Sequence, residues 1–122
     1  MIVVRNDLDS HLQLSPHFKA RELSCRCGKC YISIIDSNLL SLLETMRKVW
    51  GLPLSPSSVY RCQQHNRNVS GVPYSKHCAG RAVDLPLPKE KDSHSTFISL
   101  AKAIFPYVKV YDTFIHCDLR DS

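Results

Sequence analysis

Two histidines and one aspartate are the residues of this chain whose types and spacing best suit catalysis. His77 and Asp84 lie in one short segment, 75–84, and His116 lies far downstream in segment 114–118. Two imidazoles and a carboxylate are the ligand set of an open zinc site, in which water takes the fourth tetrahedral position. Zinc lowers the pKa of such a water toward neutrality. The three residues therefore predict a hydrolytic Zn²⁺ site.

Each of these residues has a simpler explanation when it is taken alone. His77 would ordinarily be a surface histidine in a loop, and His116 a hydrogen-bonded histidine of the core. Asp84 is less ordinary, because it interrupts an apolar run that reads as a buried strand, and a buried carboxylate needs a partner. Gly80 permits a tight turn between His77 and Asp84, so the three together favour convergence on a metal.

Three further residues are candidates for catalysis. Arg61 carries a planar fork of donors that suits a substrate carboxylate or a developing oxyanion, although a solvated surface arginine is the plainer interpretation. Metal-assisted hydrolysis also needs a general base, and the chain has no HExxH motif to supply one. Asp118 and Asp112 compete for this role, Asp118 being favoured. Asp118 could instead orient a ligand, and Asp112 could be an ordinary turn residue.

The elements that must position these residues follow from hydrophobic periodicity. Residues 36–50 and 95–105 have apolar faces at helical spacing, and Gly51 and Pro106 end the two helices. Strands are predicted over 81–85, 107–111 and 114–120. Alternation in the last strand places Ile115, Cys117 and Leu119 on the core face, and His116 and Asp118 on the opposite face.

The remaining segments carry weaker signals. Residues 57–61 are predicted to form a short strand, 62–69 a short helix, and 1–24 loops or short helical turns. The fold class is therefore α+β, a small antiparallel sheet with helices packed on one face and the zinc site on the other.

Bulk properties limit the class of protein. At 122 residues we expect one domain, residues 1–122, which we also expect to be a monomer. The net charge of +5 suits an anionic partner such as a bacterial cell wall, but the basic residues are scattered, so we predict no nucleic-acid partner. There is neither a signal-peptide pattern nor an apolar run that could cross a bilayer. We expect synthesis in a cytoplasm and no membrane insertion.

Six cysteines are many for this length. Cys25, Cys27 and Cys30 are clustered, which resembles half of a zinc knuckle and lacks a fourth ligand. Cys62 or His17 could complete it. Free thiols or a disulfide between Cys27 and Cys30 are the alternatives.

Over most of its length the chain resembles the zinc D-Ala-D-Ala carboxypeptidase family of peptidoglycan peptidases, which shares its fold with the hedgehog signalling domain. The resemblance runs through segments 18–28, 58–61, 65–66, 71–77, 80–84 and 114–120. It implies a single zinc peptidase domain with zinc held by His77, Asp84 and His116, and it implies that Arg61 contacts the substrate. Several branches place the catalytic acid three residues before the last histidine ligand, where this chain has Thr113, so the base stays open.

The expected function is hydrolysis of peptide bonds in peptidoglycan stem peptides or cross-links. Short relatives without a leader resemble phage enzymes for lysis or for penetrating the wall, so we expect action on the cell wall, from the host cell or the virion. The first alternative is an inactive, zinc-stabilised binding module of the same fold. The second, a basic nucleic-acid-binding protein organised by the cysteines, is the weakest.

Overall fold

The computed structural model describes residues 1–120, and within them short strands and helices alternate along the chain. The strands are β1 (Ile2–Arg5), β2 (Gln13–Ser15), β3 (Phe18–Lys19), β4 (Ile32–Ile35), β5 (Ala82–Pro86), β6 (Tyr107–Val110) and β7 (Phe114–Asp118). The helices are α1 (Ala20–Leu23), α2 (Ser37–Trp50), α3 (Gln63–Asn68) and α4 (His94–Ile104). Two 3₁₀ helices, Lys76–Ala79 and Lys91–Ser93, complete the set.

The principal sheet has the order β5-β7-β6 and is antiparallel throughout. Its register sets Asp84 of β5 directly opposite His116 of β7. Because strand side chains alternate between faces, Ile115 and Cys117 enter the core on one face while His116 lies on the other. The predicted alternation along β7 is confirmed, and it separates packing residues from chemical residues within one strand.

The core lies between this sheet and helices α2 and α4. Helix α2 begins after Asp36, whose carboxylate accepts a hydrogen bond from the Asn38 amide at 2.8 Å, and ends at Gly51 in the left-handed conformation. The rings of Trp50 and Phe97 meet edge to face at 4.9 Å, which joins α2 to α4. Leu39, Leu43, Met46, Phe97 and Ala101 are buried with the apolar residues of the sheet. The predicted α+β class is confirmed, with helices and candidate site on opposite faces.

The first part of the chain differs from its prediction as loops or short helical turns. Strand β1 pairs antiparallel with β4, so Ile2 lies opposite Ile35, and β2 and β3 form a small second pairing. Only α1 is helical in this region. The prediction was wrong because β1 gains its hydrogen bonds from a strand some thirty residues away, and a local pattern carries no information about such a partner.

Two smaller predictions also need correction. Residues 57–61 do not form a strand but contribute an isolated bridge between Ser58 and Asp84. His77, which taken alone would ordinarily lie in a loop, instead lies on the 3₁₀ helix Lys76–Ala79. Among residues 1–120, no helix is both long and apolar enough to traverse a membrane.

Candidate metal centre

His77, Asp84 and His116 come together although three different elements carry them. His77 lies on the 3₁₀ helix Lys76–Ala79, Asp84 on β5 and His116 on β7. Asp84 Oδ1 lies 3.1 Å from His77 Nε2 and 3.1 Å from His116 Nδ1. All three ligand atoms lie within 4.8 Å of one another.

Local structure explains how His77 reaches the strands. Ser75 caps the 3₁₀ helix by accepting a hydrogen bond from the His77 amide, and Gly80 ends the helix in the left-handed conformation with φ of 70°. A Cβ on Gly80 would lie 2.2 Å from the Ile34 carbonyl oxygen, so only glycine fits here. The chain therefore turns at Gly80 directly into β5, which brings Asp84 beside His77.

The outer nitrogen of each imidazole is fixed by an acceptor. His77 Nδ1 lies 2.7 Å from the Val59 carbonyl oxygen, and His116 Nε2 lies 2.8 Å from Asp118 Oδ2. Carbonyl and carboxylate oxygens accept hydrogen bonds, so these two nitrogens carry the protons. His77 Nε2 and His116 Nδ1 are thereby left to face Asp84.

The donor set fits a metal ion. His77 Nε2 and His116 Nδ1 each lie 3.1 Å from a carboxylate oxygen, an arrangement that requires positive charge between nitrogen and oxygen, either the proton of the imidazole or a metal ion. Tetrahedral zinc with bonds of about 2.0–2.1 Å separates neighbouring ligand atoms by roughly 3.3 Å. The two 3.1 Å separations are close to this value. The set is also typical of metal-binding histidines in having a second acceptor behind each ring.

The electrostatics of the three residues agree with this interpretation. Burial alone would raise the pKa of Asp84, but hydrogen bonds with His116 and His77 outweigh it and lower the pKa to about 2. Burial would lower the pKa of His116, yet its contacts with Asp84 and Asp118 raise it. Asp84 is therefore an anion throughout the neutral range and attracts a cation to the position between the rings.

Asp118 contacts the outer nitrogen of His116 and does not line the cleft. Its carboxylate is fully buried, and Oδ2 accepts from both His116 Nε2 and Arg120 Nη2 at 2.8 Å. Oδ1 accepts from the Arg120 amide at 2.8 Å. Burial would raise the pKa of Asp118, but Arg120 and His116 lower it. This geometry favours the ligand-orienting alternative over the general base.

Asp112 occupies the exposed turn between β6 and β7. It is not among the residues that line the cleft around the ligand set, and Asp84 is the one carboxylate among those lining residues within the described chain. Neither Asp118 nor Asp112, the two candidates for the general base, therefore lines the cleft beside His77 and His116.

The three ligands open into a cleft of about 770 Å³. Cationic side chains line it on several sides: Arg61, Lys76, Lys109 and Arg120. The Arg61 amide donates to the His77 carbonyl at 3.2 Å, which fixes this arginine beside the ligand set. Its Nε is buried and has no hydrogen-bond partner within residues 1–120.

Sequence reasoning missed the groups that support the cleft. Asn66 is buried and its Nδ2 donates to the Val72 carbonyl at 3.0 Å, which holds the cleft-lining loop 69–75 against α3. Ser70 and Tyr74 in this loop both have φ of 59°, an uncommon conformation for residues other than glycine. The Val59 carbonyl behind His77 is a backbone group, for which no residue type gives a signal.

A sequence model of the family Peptidase M15 matches residues 16–118, which is most of the chain. Among curated proteins, none matches the chain. The matched range contains all three predicted ligands together with Arg61 and Asp118. The family resemblance drawn from the sequence motifs is thereby confirmed, and the chain belongs to peptidase M15, the family of zinc D-Ala-D-Ala carboxypeptidase type.

Proposed function

We propose that this protein is a zinc metallopeptidase that hydrolyses peptide bonds in the stem peptides or cross-links of bacterial peptidoglycan. The observation that carries the proposal is the convergence of His77 Nε2, His116 Nδ1 and Asp84 Oδ1 at the floor of a cleft, in a chain of the M15 family. Zinc held there would act as a Lewis acid and lower the pKa of a coordinated water.

The residues around the ligands would keep them ready for the metal. Val59 and Asp118 hold the outer nitrogens of His77 and His116, so neither ring needs to reorient when an ion binds. Asp118 is in turn held by Arg120, whose guanidinium also stacks on Tyr107 at 3.8 Å. We therefore assign Asp118 the role of a positioning residue that acts through His116.

The cationic cleft supports a substrate that carries carboxylates. Peptidoglycan stem peptides carry carboxylates at the D-Ala terminus and on D-Glu and diaminopimelate. Arg61 lines the cleft and its amide is bonded to the His77 carbonyl, so we assign its guanidinium to a substrate carboxylate or to the developing oxyanion. Lys76 and Lys109 add positive charge around the same opening.

The biological setting belongs to the same proposal. We propose that the enzyme acts on the bacterial cell wall as part of phage lysis or wall penetration, the setting that the resemblance of its sequence motifs suggests. Expression together with a membrane-permeabilising phage protein should lyse the host. Intact cells despite soluble, zinc-loaded enzyme would contradict the phage role without touching the peptidase chemistry.

The peptidase is tested by incubating purified sacculi and isolated muropeptides with the zinc-loaded protein. New free amines or shortened stem peptides, detected by mass spectrometry, are expected, together with their loss after chelation and in His116→Ala. The masses identify the bond that is cut. Wall binding without any new amine, by protein with zinc demonstrably bound, would instead favour the inactive binding module.

A further inference from the structure

A second group of metal-binding side chains lies outside the cleft. Cys25, Cys27 and Cys30 belong to the loop between α1 and β4, and Cys62 immediately precedes α3. Their four sulfur atoms lie within 4.8 Å of one another although the two segments are more than thirty residues apart. His17, the other candidate for a fourth ligand, instead contacts Glu44 at 2.6 Å. None of the four cysteines lines the catalytic cleft.

The spacing of the sulfur atoms suits a tetrahedral ion. With a zinc–sulfur bond of about 2.3 Å, two thiolates on one zinc are separated by roughly 3.8 Å. Cys62 Sγ and Cys27 Sγ are 3.9 Å apart. A disulfide requires a separation of about 2.05 Å, and all four cysteines are free thiols in the structure.

Every one of the four sulfur atoms accepts a hydrogen bond from an N–H group. Cys27 Sγ accepts from the amides of Lys29 and Cys30, both at 3.3 Å. The Cys25 and Cys62 sulfurs accept from the amides of Cys62 and His65, both at 3.4 Å, and the Cys30 sulfur accepts from Asn6 Nδ2 at 3.3 Å. Such donors stabilise thiolates and orient metal ligands.

The backbone of the loop is shaped for this arrangement. Gly28 has φ of 72°, and this left-handed residue turns the chain between Cys27 and Cys30 so that both sulfurs face the same point. The Cys25 amide donates to Ser33 Oγ, which is itself held by Asn6. Strand β4 and Asn6, which directly follows β1, thus support the loop.

We propose that Cys25, Cys27, Cys30 and Cys62 bind a second zinc ion in a closed, structural site. Four thiolates fill the tetrahedral shell and leave no position for water, so this ion stabilises and does not catalyse. It joins the 25–30 loop to the start of α3, directly beside Arg61, whose amide is bonded to the His77 carbonyl. The second zinc ion would therefore stabilise the wall of the cleft from the side opposite the substrate. Binding of this ion does not depend on the peptidase activity.

Metal content tests the proposal. Wild-type protein purified under reducing conditions without chelator should contain two zinc ions per chain, measured by plasma mass spectrometry. Cys27→Ser and His116→Ala should each contain one, while Cys78→Ser, a cysteine outside the cluster, should retain both. A single zinc in the wild-type protein that Cys27→Ser does not lose would overturn the proposal.

Cobalt substitution keeps the test decisive if Cys27→Ser fails to fold. His116→Ala loaded with Co²⁺ should show sulfur-to-cobalt charge transfer and the intense visible bands of tetrahedral thiolate cobalt. The absence of these bands in folded protein would contradict the proposal. Disulfides among the four cysteines, counted by thiol alkylation and mass spectrometry in protein freshly purified in reducing buffer, would also contradict the proposal.

Discussion

At the scale of single residues, the hydrogen-bond acceptors at the outer nitrogens of His77 and His116 decide which nitrogen of each ring faces Asp84. His77 and His116 have different nitrogens directed at Asp84, Nε2 in one and Nδ1 in the other, because Val59 and Asp118 occupy the opposite positions. The residue types predicted that these three side chains would come together, since few other reasons place an aspartate in a buried strand. They did not predict which nitrogen serves, because the acceptor behind His77 is a backbone carbonyl.

Asp118→Asn separates the two roles considered for this carboxylate. The amide keeps the shape but loses the charge that supports His116, so we expect zinc affinity to fall by about 10- to 100-fold. Activity at limiting zinc should fall in parallel and recover in excess zinc, as followed by metal titration and muropeptide assays. If Asp118 were the general base, fully loaded enzyme would remain inactive.

Arg61→Lys tests the donor fork beside His77. Lysine retains the charge but has no planar pair of donors, so kcat/KM for stem peptides should drop by about tenfold or more, equivalent to about 1.4 kcal/mol of transition-state stabilisation. Zinc content should not change, because Arg61 is not a ligand. Lys102→Arg, at an exposed position of α4, is the matched control and should behave as wild type.

At the scale of elements, the turn at Gly80 joins the 3₁₀ helix of His77 to the strand of Asp84. Gly80→Ala would drive its Cβ to 2.2 Å from the Ile34 carbonyl oxygen, in addition to the cost of a left-handed alanine. We expect the free energy of unfolding to fall by about 3 kcal/mol or more, with loss of zinc binding. Denaturant unfolding and metal content measure the two effects.

Gly51→Ala is the matched control for that change. Gly51 has φ of 81°, and a Cβ there would meet no atom within 4 Å. Only the left-handed backbone penalty of about 1–2 kcal/mol should appear. Equal losses in the two variants would show that the contact with Ile34 has no role.

Glu44 links helix α2 to the turn between β2 and β3. It accepts from the His17 amide at 2.8 Å and also contacts Ser15 Oγ and His17 Nδ1. Burial would raise the pKa of Glu44, but the hydrogen bonds from Ser15 and His17 outweigh burial and hold the pKa below its ordinary value. The stabilisation is therefore complete above the unfolded-state pKa and disappears as the pH falls through the lower folded-state value.

Glu44→Gln should consequently destabilise the protein at pH 7 by about 1–2 kcal/mol, the value of hydrogen bonds to a charged group in a half-exposed site. The difference from wild type should shrink as the pH is lowered past the folded pKa, as measured by urea unfolding at several pH values. Glu90→Gln, at an exposed loop position, should cost little at any pH. A Glu44→Gln penalty that is constant down to acidic pH would refute the linkage.

Helices α2 and α4 and the individual strands β5, β6 and β7 were predictable because their patterns are local: apolar faces at helical spacing, capping residues and alternation. The β1–β4 pairing, the bridge at Ser58 and the 3₁₀ helix of His77 were not, because each depends on a distant partner or on a single turn of chain. The cysteine cluster falls between these cases. Its first three members were visible in the sequence. Only the folded structure shows that Cys62, and not His17, is the fourth member.

At the scale of the whole molecule, the net charge of +5 matters most where it surrounds the cleft. Raising the ionic strength from 0.01 to 0.15 M shortens the Debye length from about 30 Å to about 8 Å. If the positive field draws the enzyme to the anionic wall, the rate on intact sacculi should fall by about tenfold over this range. The rate on small soluble muropeptides should change much less, because they present few charges.

Lys109→Gln and Lys102→Gln distinguish a field focused at the cleft from a general effect of charge. Both remove one positive charge, but Lys109 lines the cleft, where its ammonium lies 5.2 Å from the centre of the Tyr111 ring, and Lys102 is exposed on α4. Clefts concentrate the field of the charges that line them. Lys109→Gln should therefore lower the rate on sacculi and flatten its salt dependence, while Lys102→Gln leaves both close to wild type. If the rate on sacculi depended on salt in the same way in both variants, a lysine in the cleft would contribute no more to wall attraction than any other surface lysine.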